Sequence, residues 1–153
     1  MQLRLIAVDK IRTPHVAEAC VEFRKRLAPY ASYEEVEVKA AHGSNIEAAM
    51  LDESDRILRL VRPGEPLWLL ERTGLQLSSI ALSRKLEAIA NEGTSRVTFV
   101  VAGTYGVGEA LMKRADFLWS LSDLTFLHEW ARMIVLEQLY RAAKISRNEP
   151  YHH

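Results

Sequence analysis

The chain has 153 residues, of which 48% are apolar and 26% charged, with 20 basic and 20 acidic side chains. That size suits one compact domain with a sizeable core, and the single cysteine, Cys20, excludes an internal disulfide and fits the reducing cytoplasm. No run approaches the length of about 20 apolar residues that spans a bilayer, and zero net charge permits a nucleic-acid partner without demanding one.

Residues 2–8, QLRLIAV, alternate and predict a strand. Arg4 interrupts their apolar run, so the N-terminus does not read as a signal peptide. Thr13-Pro14 starts a helix to about Leu27, with Thr13 as cap and proline at the first helical position. A second strand is predicted over 33–38. Ser44-Asn45 opens a helix that Arg62-Pro63-Gly64 ends. Residues 67–70, LWLL, form a short apolar run typical of a buried parallel strand. A helix from Ser78-Ser79 stops near Asn91-Glu92-Gly93, and 97–101 is the next buried strand. A loop over 103–108, a short helix over 109–115, a strand over 117–121 and a long closing helix complete the chain.

Charge is uneven along this order. Residues 1–30 carry six basic and three acidic side chains, and residues 31–60 carry three basic and seven acidic ones.

Strands and helices alternate throughout, which predicts one α/β domain, residues 1–153, with a mostly parallel sheet flanked by helices. Ligands of such sheets sit beyond the carboxyl ends of the strands. Three segments are expected to leave those ends as loops: ERTGLQLSS after Leu70, AGTYGVG after Val101, and SDLTFLH after Leu121.

The glycines of AGTYGVG match neither the dinucleotide fingerprint nor a phosphate-binding loop with its lysine. Two readings stand: a plain strand-to-helix turn, or a backbone wall against a flat, weakly charged ligand such as an adenine. No histidine pair has zinc-helix spacing and no cysteine pair exists, so no metal site is expected. Cys20, in AEACVEF, reads as a small core residue.

The closing helix is apolar nearly all round between Trp130 and Tyr140, which argues for a second subunit covering it. It also carries two i,i+4 pairs, His128 with Arg132 and Glu137 with Arg141, about two and a half turns apart and facing opposite ways. Either both are ordinary surface pairs, or one points to a ligand and the other to a partner chain.

WSLSDLTFLHEWARMIVLEQLYRAAKISRNEPYHH resembles the end of the RlmH family, a group of SPOUT-class methyltransferases acting on large-subunit ribosomal RNA. VVAGTYG and LLERTGLQLSS resemble that family's other loops, and length and motif order agree over the whole chain. The resemblance implies an α/β fold whose C-terminal part forms a deep trefoil knot. It implies S-adenosylmethionine bound by Leu70, Gly103, Gly106 and the run Leu121, Ser122, Asp123, Leu124, Thr125, Phe126 and Leu127. It further implies a homodimer in which the tail of one chain, residues 146–153, completes the site of the other. The target it implies is N3 of a pseudouridine in 23S rRNA of the assembled ribosome, with no metal and no membrane. His128, Glu137, Arg141, Tyr151, His152 and His153 are the candidates for handling the nucleoside. Rival readings keep the fold but drop catalysis, leaving a ribosome-binding module, or change the RNA target. Leu127 stands where the family usually has proline and Ala102 where it usually has glycine, so a somewhat altered loop is expected.

Overall fold

The computed structural model describes residues 1–151. Its elements are β1 (Gln2–Val8), α1 (Pro14–Leu27), β2 (Ser32–Val38), α2 (Ile46–Leu58), β3 (Leu67–Gln76), α3 (Ser79–Asn91), β4 (Arg96–Val101), α4 (Glu109–Arg114), β5 (Phe117–Ser120) and α5 (His128–Ser146). The strands form one sheet in the order β2-β1-β4-β3-β5. Every neighbouring pair is parallel. All strands therefore end on the same edge of the sheet, and the β4–β5 connection crosses β3 to reach it.

The two-residue period of a strand splits the core into two layers. On β1, Leu3, Leu5 and Ala7 face the layer of α1, α3 and α5, while Ile6 and Val8 face α2 and α4. Cys20 of α1 is buried in the first layer, and that burial pushes its thiol pKa up. In the same layer Trp68 packs edge-on against Phe99 and Trp119, with ring centroids 5.4 and 6.1 Å away. β3, β4 and β5 are thus braced together from one side by aromatic side chains.

Asn45 and Ser78 cap their helices as expected, accepting the Ala48 and Ala81 amides at 3.1 Å each. Thr13 does not. Its side chain makes no cap bond, and the N-terminus of α1 is instead closed by Glu129 of α5. Glu129 accepts the amides of Arg12 at 2.6 Å and Thr13 at 3.2 Å. A carboxylate serves better here, because it also meets the positive end of the helix dipole.

The first of the three expected loops is not a loop. β3 runs on to Gln76, with an irregularity after Leu70, and pairs again with β5 through Leu75 and Gln76. Gly74 makes this possible: a Cβ there would lie 2.4 Å from the Leu118 carbonyl oxygen. Only glycine lets two backbones approach so closely.

Within one chain the closing helix buries one side only. Val135, Leu136, Leu139 and Ala142 are buried against α1 and α3, and Trp130 is 42% exposed. Arg132 is no surface residue. It is 1% exposed, and its guanidinium donates to the Asp9 carbonyl at 2.9 Å, to Glu37 at 2.7 Å and to Glu35. Burial disfavours this cation, but the two carboxylates outweigh burial and hold its pKa up. Asp9 takes a left-handed φ of 66° at the β1 exit, where its carbonyl meets Arg132.

Burial pushes the Glu129 carboxyl pKa up, but the Arg12 and Thr13 donors prevail and hold it below the ordinary range. A depressed folded pKa adds stability at pH values above the unfolded pKa of about 4.3, lost as pH falls through the folded value. The stability gap between wild type and Glu129→Gln should therefore be widest near neutrality and close on acidification, as read by urea melts from pH 7 to 3.

Candidate functional site

The middle of β3 and the chain segments leaving β4 and β5 enclose a cleft of about 490 Å³. That volume suits a nucleoside-sized ligand. Leu70 stands at the β3 side, with Glu71 and Arg72 beyond it. The glycine loop forms a second wall through Ala102, Gly103, Thr104 and Gly106, and Leu121, Ser122, Leu124, Thr125, Phe126 and Leu127 form the third. A different cavity, about 330 Å³, lies at the opposite ends of the strands, between residues 62–66 and 94–96.

The glycine loop is built from main chain lying flat. Gly106 donates its amide to the Gly103 carbonyl at 3.1 Å, closing a four-residue turn, and takes a φ of 93°. Gly103 has no room behind it: a Cβ would sit 2.7 Å from Glu53 Oε2 and 2.9 Å from Val8 Cγ1. A side chain there would push the loop into the cleft. At the far end Gly108 donates its amide to Ser54 Oγ at 2.9 Å.

The third wall is ordered by its own polar groups. Ser122 Oγ accepts the Leu124 amide at 3.1 Å, and Ser120 Oγ donates to the Ser122 carbonyl at 3.1 Å. Leu124 and Leu127 are each 71% exposed, so their side chains are open to a ligand or a partner. Asp123 is the one residue of the 121–127 run that does not line the cleft. Its carboxylate accepts from Gln76 Nε2 at 3.0 Å and ties this wall to the end of β3.

His128 opens α5 at the cleft rim. Glu137, Arg141 and Tyr151 form a separate cluster. Glu137 Oε1 accepts from Arg141 Nη2 at 2.6 Å and from the Tyr151 hydroxyl at 2.6 Å, and the guanidinium lies 3.5 Å over the Tyr151 ring. Burial and the Glu137 bond raise the Tyr151 pKa, so the phenol is a neutral donor at pH 7. Nine residues of α-helix separate His128 from Glu137, a rise of about 14 Å. One chain thus keeps the cluster away from its own cleft. His152 and His153 lie outside the described residues. Among the described residues, no group of three or more metal-ligating side chains is arranged around an ion, and no helix is long and apolar enough to cross a membrane.

Sequence reasoning passed over several residues here. Glu71, Arg72, Thr104, Trp119 and Ala131 line the cleft. All five stand inside the segments that carry the family resemblance, but nothing local marks them as facing a ligand. Glu53 and Ser54 are called by no motif at all, because their role depends on a loop about fifty residues away.

A family model described as "Predicted SPOUT methyltransferase" matches residues 1–152. The chain belongs to this SPOUT methyltransferase family. It is similar to a protein of Gloeobacter violaceus named ribosomal RNA large subunit methyltransferase H, 42% identical over all of this chain and 99% of that one. Proteins of the same name from Acetivibrio thermocellus and Dictyoglomus thermophilum are 40% and 37% identical, covering 99% and 100% of both chains respectively.

At the two departures of this SPOUT methyltransferase's loops the backbone can be read directly. Leu127 has a φ of −58°, which proline would impose, and its amide donates no hydrogen bond among the described residues. Ala102 is not among the positive-φ residues. Leu127→Pro should accordingly raise stability by about 0.4–1 kcal/mol, through a smaller unfolded-state entropy. A urea midpoint that rises at unchanged slope is the expected reading.

Proposed function

We propose that this protein transfers a methyl group from S-adenosylmethionine to large-subunit ribosomal RNA, at N3 of a pseudouridine in the assembled ribosome, in the cytoplasm. The observation that carries the reading is the Gly103 wall. Main chain, with Glu53 and Val8 filling the space behind it, faces a cleft of about 490 Å³. Such a surface suits a flat purine nucleoside and leaves a phosphate chain without a cradle. The relatives named as large-subunit rRNA methyltransferases, similar over their full lengths, support the substrate class.

The residues present fit the donor. Leu70, the glycine loop and the 121–127 wall would hold it, and Asp123 would keep that wall in place through Gln76. S-adenosylmethionine supplies an activated methyl group on a sulfonium. On the RNA side the imide N3 must come into line with the methyl and pass its proton to solvent water or to Glu137. His128 at the rim is placed to hold the base. Arg141 offers a cation that lowers the cost of negative charge on it, with Glu137 orienting the guanidinium. Tyr151 is a hydrogen-bond donor or stacking surface rather than a base.

Since one chain holds Glu137 about 14 Å and Arg141 about 20 Å along α5 from its own His128, with Tyr151 bonded to Glu137, the site is completed by a second protomer's cluster and tail, in a homodimer. The part-exposed side of α5 and the exposed Trp130 support that arrangement. We further propose that the C-terminal part threads as a deep trefoil knot. The crossing of β3 by the β4–β5 connection and the docking of α5 on α1 and α3 agree with it.

Calorimetry should show one S-adenosylmethionine bound per protomer and displaced by S-adenosylhomocysteine. Gly103→Ala should weaken it by about tenfold or more, with the circular-dichroism spectrum kept. Absence of binding by the wild-type chain would leave a ribosome-binding module instead. Mass mapping of 23S nucleosides from a deletion strain should show a pseudouridine methylation lost, whereas an unchanged map sinks the assigned target. Removal of residues 150–153 should abolish turnover on ribosomes without lowering the melting temperature, and full turnover in that variant would refute the tail's role.

A further inference from the structure

Glu53 lies on α2, is 2% exposed and sits behind the glycine loop, on the side away from the cleft. Its Oε1 accepts the Ala41 amide at 2.9 Å. Its Oε2 is buried with no hydrogen-bond partner among the described residues. A buried carboxylate oxygen without a donor is costly, and such a group calls for an explanation beyond packing. The oxygen faces Gly103, and a Cβ there would come within 2.7 Å of it. The next residue, Ser54, already holds the Gly108 amide at the far end of the same loop. Consecutive side chains of one helix therefore underlie both ends of the loop, with one bond made and one acceptor open.

A peptide unit is planar, and its N–H and C=O point in opposite directions. If a loop amide turns inward to an acceptor, its carbonyl turns outward into the cleft. A carboxylate behind the loop can only accept, so it selects that polarity. The cleft then presents a carbonyl acceptor, which suits a ligand offering an N–H donor, such as the exocyclic amine of adenine.

We propose that Glu53 is a positioning residue for the methyl donor: as the cleft fills, its free oxygen takes a hydrogen bond from an amide of the 102–106 loop and turns a loop carbonyl toward the donor's adenine. This rests on the S-adenosylmethionine reading above. It makes Glu53 a determinant of adenine preference without contact to the ligand.

Glu53→Gln keeps the shape but reverses the sign. With its oxygen on the Ala41 amide, glutamine offers the loop an NH₂ donor. Binding of S-adenosylhomocysteine and of its inosine analogue, which carries a 6-oxo acceptor in place of the amine, is measured on wild type and variant. The expected result is an adenosine-form affinity about tenfold lower or worse in the variant. The adenosine-over-inosine preference should collapse, and the melting temperature should hold or rise. Unchanged affinity, or equal loss for both ligands together with a lower melting temperature, overturns the proposal and leaves Glu53 a structural brace.

Should the variant not fold, the wild-type chain still decides. In its nitrogen-15 spectrum an amide proton of residues 102–106 should move downfield at saturation with S-adenosylhomocysteine, and no such move overturns the proposal. A wild-type chain that binds neither compound overturns the methyl-donor reading, and this inference with it.

Discussion

Along the carboxyl edge of the sheet, backbone meets backbone or buried side chain at distances that leave no space for a Cβ. Gly74 lies against the Leu118 carbonyl, and Gly103 lies against Val8 and Glu53. These contacts set the width of the cleft. The first pins the long β3 to β5, so that Leu70 and the 121–127 wall keep their spacing. The second flattens the glycine loop against α2. A binding surface made this way is defined by main-chain position rather than by the side chains along it.

The other side of the site depends on how α5 is seated. Arg132 bonds the β1 exit at Asp9 and the β2 carboxylates Glu35 and Glu37, and Glu129 caps α1. Further along, Ser83 Oγ donates to the Ala142 carbonyl at 2.9 Å and Ser79 Oγ donates to Gln138 Oε1 at 2.6 Å. The first turn of α5, which carries His128, is therefore fixed by polar bonds, and its later turns by apolar packing together with these two serine bonds. Removing one partner from a buried ion group of this kind is costly, because the remaining charges stay dehydrated. The placement of His128 is thus a property of the whole N-terminal half of the chain.

What the sequence made legible follows from range. Alternation in QLRLIAV, the caps Asn45 and Ser78 and the apolar runs are local signals, and the elements they predict are present with ends shifted by a few residues. The glycines of AGTYGVG are readable as a tight strand-to-helix loop for the same reason, and the structure puts that loop on the cleft. Misreadings occur where a partner is remote. ERTGLQLSS reads as a loop because no local rule says that Gly74 will meet Leu118. Thr13 reads as a cap because Glu129 lies 116 residues away from it. Arg132 reads as a surface residue because Glu35 and Glu37 are distant in sequence. Glu53, with no motif around it, shows its open oxygen only once Gly103 is seen above it.

The ties of α5 to the rest of the chain span most of its length: 117 residues from Arg12 to Glu129 and 123 from Asp9 to Arg132. Such contacts are slow to find and come late, because long loops must close first. The third wall and the rim of the cleft lie next to or on this late-docking helix, so the binding surface is among the last parts of the fold to be completed.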